Sequence, residues 1–122
     1  MSTTPELLSA VSFEQFTNLD LRVATITHAQ PHPNADRLLK IQLDDGTTDG
    51  RQVCAGIKAW YAPEALIGTQ VIIVANLEPR TIRGEVSQGM IMAGSATSEG
   101  GDKEDVCVLR PDRPLPPGSK VS

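Results

Sequence analysis

The amino-acid sequence predicts an all-β protein: five short strands closed into a small Greek-key barrel, with one short helix between the third and fourth strands. Three observations lead there. Residues 39–44 alternate cleanly, with Leu39, Ile41 and Leu43 on one face and Lys40, Gln42 and Asp44 on the other, the period-2 pattern of a half-buried strand. Residues 70–77 (QVIIVANL) are apolar on both faces, as in a strand covered on two sides. Ten Gly and nine Pro in 122 residues favour short strands joined by turns over a helical bundle.

The elements follow in order. Residues 1–12 read as a flexible lead-in, and 13–122 as one domain. Phe13 and Phe16 stand at i, i+3, which suits one helical turn packed on the body. The β-branched run 21–28 (LRVATITH) is a first strand. A loop broken by Pro31 and Pro33 leads into the alternating second strand. Asp44-Asp45-Gly46 and the polar run to Gly50 make a hairpin connection, and residues 52–55 return as a third strand. Pro63 sits in the first turn of a helix near residues 62–67 that Gly68 closes. After the apolar fourth strand, residues 90–93 are the fifth candidate and 106–109 a short terminal strand, with a Gly/Ser/acidic surface loop at 94–105 between them. Residues 111–118 (PDRPLPPG) run as an extended tail. Five strands with a helix after the third is the pattern of the OB-fold barrel.

Composition narrows the functions. A chain of 122 residues makes one domain that buries roughly two thirds of its unfolded surface without disulfides or metal. Cys54 and Cys107 belong to no C-x-x-C or Cys/His cluster and read as small buried hydrophobes. No apolar run approaches the ~20 residues of a spanning helix, and the first residues lack a signal-peptide pattern, so a reducing cytoplasm is expected and no membrane. No phosphate-binding glycine loop, nucleophile pattern or paired acidic ligands emerge, so no catalytic residue, metal or cofactor is expected. His32, held in Pro31-His32-Pro33, reads as a loop-shaping residue; Asp36 as the group that fixes the turn before Arg37; Trp60 and Tyr61 as packing.

The net charge is −4. However, at physiological salt a phosphate senses charges within about 8 Å and hardly the total. Most basic groups cluster in the middle of the chain: Arg37, Lys40, Arg51, Lys58, Arg80 and Arg83. An acidic protein with a basic face binds RNA, though less tightly than a strongly basic one. The stretch 76–92 stands out. Asn76-Leu77-Glu78-Pro79-Arg80-Thr81-Ile82-Arg83-Gly84, then Ser87-Gln88-Gly89-Met90, place two arginines in a Pro/Gly-bounded loop directly after the central strand. Guanidinium groups on a rigid loop suit planar, bidentate phosphate contact.

Asp20-Leu21-Arg22-Val23-Ala24, Ala35-Asp36-Arg37-Leu38-Leu39, Gly56-Ile57, Leu66-Ile67-Gly68, Asn76-Leu77-Glu78-Pro79-Arg80 and Ser87-Gln88-Gly89-Met90, in this order and spacing, carry a resemblance. From about Phe13 to Val121 the chain resembles the OB-fold tRNA-binding domains found at the C-terminus of methionyl-tRNA synthetases. The same module occurs as free-standing structure-specific tRNA-binding proteins and in endothelial-monocyte-activating polypeptide II. The resemblance implies a homodimer that grips the folded shape of tRNA, raising local tRNA concentration for aminoacylation beside a synthetase catalytic domain or in trans. It places Arg37 (usually Lys), Asn76, Arg80, Ser87 and Met90 on the ligand face. Lys40 and Arg83 are added on charge and location. Glu78 departs from the basic or neutral residue expected there. The proline tail, too extended to stabilise itself, is expected to lay Leu115 or Val121 across a partner copy. Two alternatives share the fold: CsaA-type dimeric peptide-binding export chaperones, and the domain inserted near the start of the phenylalanyl-tRNA synthetase β chain, which His32-Pro33-Asn34-Ala35-Asp36-Arg37 also resembles.

Overall fold

A single long strand, β1 (Leu21–Pro31), organises the barrel by serving two partners along its length. The structure, a computed structural model, describes residues 6–122. Ahead of β1, α1 (Phe13–Phe16) is one turn held by a capping box: the Ser12 hydroxyl accepts from the Gln15 amide, and the Gln15 side chain accepts from the Ser12 amide. Part of the lead-in read at residues 1–12, namely 1–5, lies outside the described residues.

The first half of β1 pairs antiparallel with β4 (Gln70–Val74), and its second half with β2 (Leu39–Asp44). Between the halves the register shifts at Thr27, and such a bulge bends a strand and sharpens its twist. That bend lets one strand pass from one wall of the barrel to the next. β1 also runs past residue 28 to Pro31, where Pro31 faces Leu39. A proline with no donor is tolerated at the end of a ladder.

The hairpin partner of β2 is β3 (Arg51–Ala55), and helix α2 (Pro63–Leu66) follows with Pro63 in its first turn. Leu66 is fully buried, and Gly68, at φ +86°, donates its N–H to the Ile26 carbonyl at 2.8 Å. The helix thus closes one end of the barrel against β1. β4 is buried from Val71 to Val74, as its doubly apolar sequence requires, but it ends at Val74, earlier than residue 77. The main sheet runs β3-β2-β1-β4-β7, with β7 at Met90–Ile91. This is the five-stranded barrel expected, with the helix between the third and fourth strands, and the fold is an all-β OB barrel.

Four segments differ from the sequence reading. The turn α1 does not pack both aromatics on the body: Phe13 is exposed and only Phe16 is half-buried. Residues 80–87 form a hairpin, β5 (Arg80–Ile82) with β6 (Glu85–Ser87), and not an irregular loop. The surface loop at 94–105 is largely a second hairpin, β8 (Ala93–Thr97) with β9 (Lys103–Val108). Ala-Gly-Ser-Ala-Thr has no alternation to betray a strand; only its partner makes it one. The tail, finally, docks on its own barrel. The Gln70 side chain bonds both the N–H and the C=O of Leu115, the Gly118 N–H reaches the Val23 carbonyl at 2.7 Å, and β10 (Lys120–Val121) pairs with Leu21 and Arg22. It needs no second copy to hold it.

The core is aliphatic: Ala24, Ile26, Leu39, Ile41, Leu43, Val53, Leu66, Val71 and Ile73 are essentially inaccessible. Trp60 and Tyr61 pack on it, and the Tyr61 hydroxyl accepts the Val108 N–H at 3.0 Å. Both residues pack, as expected.

Candidate nucleic-acid interface

β3 and β7 are the two ends of the main sheet, and no backbone ladder joins them. The Ser87-Gln88-Gly89-Met90 segment closes the gap instead. The Ser87 hydroxyl accepts the Cys54 N–H at 2.9 Å and donates to the Gly89 carbonyl at 3.2 Å. The Gln88 side-chain carbonyl accepts the Gln52 N–H at 3.0 Å, and the Gln88 backbone N–H donates to the Gln52 carbonyl at 2.8 Å. Unpaired edge amides of β3 are thereby satisfied. Gly89 has φ +127°, and a Cβ there would lie 2.7 Å from the Val74 carbonyl oxygen. A side chain here would be strained and would push against the Val74 carbonyl.

Arg51 braces the seam from below. Its guanidinium donates to the Ala75 and Gln88 carbonyls and meets the Asp45 carboxylate at 3.0 Å. Burial pushes the Asp45 carboxyl up, but the Thr47 hydroxyl and amide, with Arg51, outweigh it and hold it below the usual carboxylate range. Arg51 is therefore a structural cation, a role its sequence surroundings do not reveal.

The seam floors a groove of about 580 Å³ whose walls include Leu38, Ile57, Ile82 and Met92. Arg80, Ser87 and Met90 all line it, as does Lys103, which the acidic surroundings of residues 102–105 hid. Met90 is half exposed at its rim, whereas Ser87 is buried. Cys54 also lines the groove but is only half-buried, and Cys107 is exposed, so neither is the buried hydrophobe expected; burial and then nearby Glu85 push the Cys54 pKa up, only partly offset by Lys40.

Arg37 and Arg83 lie together in a neighbouring cleft of about 320 Å³ that shares Leu38 with the groove. The Asp36 side chain does not fix this turn, contrary to expectation: the Leu38 N–H closes it on the Ala35 carbonyl at 3.2 Å. His32 is buried and shapes the loop as expected. Asn76 stands elsewhere, its amide tying the Asp20 N–H and the Asn18 carbonyl and thereby holding the N-terminal segment to the loop before Arg80. Lys40 meets Glu85 at 3.5 Å and is mostly buried. Among the described residues, Arg37, Arg80, Arg83 and Lys103 have no carboxylate within 4.0 Å, whereas Arg22, Lys40 and Arg51 do.

The barrel thus carries an open groove with apolar walls, with Arg80 and Lys103 on its lining and Arg37 and Arg83 in the adjoining cleft. Comparison with known proteins makes the class specific: residues 21–120 match the family described as "Putative tRNA binding domain", and the chain belongs to it. It is 45% identical over 111 residues to the methionine–tRNA ligase of Thermococcus kodakarensis, covering 91% of this chain but 14% of that protein. Among solved structures, a MetRS-related protein from Pyrococcus horikoshii superposes with a TM-score of 0.80 at 27% identity, over 94% of this chain and all of that one. The chaperone CsaA of Bacillus anthracis superposes at 0.78 and 35% identity, over 93% of this chain and all of that one. No helix among the described residues is long and apolar enough to cross a membrane.

Proposed function

We propose that residues 13–122 form a non-catalytic tRNA-binding module, cytoplasmic, free-standing or appended to methionyl-tRNA synthetase. The observation that carries this reading is the gathering of Arg37, Arg80, Arg83 and Lys103, without carboxylate partners, around one groove and its neighbouring cleft. Phosphate contacts from these groups position the folded RNA, and Met90 at the groove rim adds an apolar contact to an accessible base or sugar. Holding tRNA beside a catalytic domain raises its effective concentration without any chemistry in the module itself. Ser87 and Asn76 support this surface by fixing the seam and the loop before Arg80. Lys40, neutralised by its pair with Glu85, adds no net charge and ties β2 to the hairpin instead.

The module acts as a homodimer. Support comes from the lead-in: Leu7, Leu8, Val11 and Phe13 are 68–94% exposed, an apolar stretch of the kind that a partner surface covers. Sedimentation at tens of micromolar should give a dimer, and a monomer there would refute this part.

The apolar walls of the groove and the CsaA superposition favour one second reading, an extended peptide in the same groove. Filter-binding titrations of total tRNA, duplex DNA and an unfolded peptide at two salt concentrations separate the two. Preferential, salt-sensitive binding of tRNA supports the module. Peptide binding with no preference for tRNA over duplex DNA replaces it with the chaperone reading.

A further inference from the structure

His32 is buried although it lies in the loop between β1 and β2. Its Nδ1 accepts the Asn34 N–H at 2.9 Å, so the ring proton sits on Nε2, which donates to the Ile82 carbonyl at 2.8 Å. The His32 N–H in turn donates to the Leu38 carbonyl at 2.9 Å, and the Asn34 side chain donates to the Arg83 carbonyl at 3.3 Å. The loop that carries Arg37 is therefore closed on itself and bolted to the hairpin that carries Arg83. Both bolts reach the start of the hairpin turn.

That turn is itself unusual. Arg83 at φ +48° and Gly84 at φ +91° are consecutive left-handed residues, the arrangement of a type I′ turn, whose first position ordinarily takes Asn, Asp or Gly. An arginine there works against backbone preference. Arg83 lines the same cleft as Arg37, with Asp36 also on its wall. Both arginines are exposed, so water screens their mutual repulsion, but together they bring two guanidinium donors to one cleft open to an anion.

We propose that Arg37 and Arg83 form a two-arginine clamp for a backbone phosphate of the RNA, and that His32 is the positioning residue holding its halves together. The clamp rests on the tRNA-binding reading above, and it makes a demand that reading does not: the two arginines act as a unit.

The test is a set of tRNA titrations across a salt series with His32→Ala, His32→Gln, Arg37→Ala, Arg83→Asn and the double variant R37A/R83N, with melting temperatures measured in parallel. Asparagine at position 83 tolerates the left-handed backbone, so it removes charge and keeps the turn. Each single arginine variant should lower the salt slope of log K by about 0.7–0.9, and the double variant should lose less affinity than the product of the two single losses. His32→Ala should also flatten the slope, and His32→Gln, which can still donate to Ile82, should recover most of it. Added to R37A/R83N, His32→Ala should leave the slope unchanged, whatever it does to melting. Additive arginine losses, or a His32→Ala variant that melts early yet keeps the wild-type slope, would overturn the clamp. If His32→Ala does not fold, the arginine cycle and His32→Gln decide alone. Wild-type protein that prefers duplex DNA or peptide would instead refute the tRNA reading, and the clamp with it.

Discussion

Ser87→Ala tests whether the Ser-Gln-Gly-Met segment works by contact or by construction. Its hydroxyl is fully engaged, accepting from Cys54 and donating to Gly89, and the residue is 5% exposed. Alanine leaves the Cys54 amide without a partner on the edge of β3. A buried amide left unpaired costs about 1–3 kcal/mol; Cys54 is only partly buried, so water recovers some of this and about 1–2 kcal/mol is expected. At roughly 4 °C per kcal/mol for a domain of this size, the melting midpoint should fall by about 4–8 °C. Because no phosphate contact is removed, tRNA affinity should fall only as far as Met90 shifts, with the salt slope at the wild-type value. Thermal melts followed by circular dichroism, together with filter binding at several salt concentrations, give both numbers. A variant that melts like wild type while losing tenfold or more in tRNA affinity would show the hydroxyl to be a ligand contact, and the seam argument would be wrong.

Gly89→Ala should be more damaging, about 3 kcal/mol or more, since the new Cβ meets the Val74 carbonyl at 2.7 Å on a backbone at φ +127°; a chemical denaturation midpoint near wild type would contradict this. Arg80→Ala should weaken tRNA binding and lower its salt slope by about 0.7–0.9, while Arg110→Ala and Arg113→Ala, which line neither groove nor cleft, should leave both unchanged in the same titration. Met90→Ala should reduce affinity about fivefold, the effect of removing a half-exposed methionine from an apolar contact, and leave the slope intact because no counterion is released. The Asp45 carboxyl is held below its ordinary range, so its stabilisation is present above the unfolded carboxylate pKa and disappears as pH falls through the lower folded value. Asp45→Asn should cost about 2 kcal/mol at neutral pH and flatten the acid limb of a pH-dependent melting curve; an unchanged limb would remove Asp45 from the account.

The barrel was legible in the chain because its main strands announce themselves locally. The alternation of 39–44, the doubly apolar 70–77 (strand as far as Val74) and the proline-started helix near 62–67 each need no distant partner to be read. So, too, were two side chains that line the groove: an arginine on a Pro/Gly-bounded segment and a methionine beside a glycine. What only the tertiary structure decided is which polar groups are free to meet a ligand. Ser87 answers a backbone amide 33 residues away, and Asn76 answers a carbonyl 58 residues away. Lys40 faces Glu85, while Arg37, distant in the chain from Arg83, shares its cleft. The hairpin strands at 80–82 and 93–97 escaped notice for the same reason: short, polar or small-residue strands carry no hydrophobic period, and their pairing energy lies in the partner. A side chain's type is written in the sequence. Whether it is a ligand contact or a brace depends on the backbone atom that the strand register sets opposite it, and that register exists only once the barrel has closed.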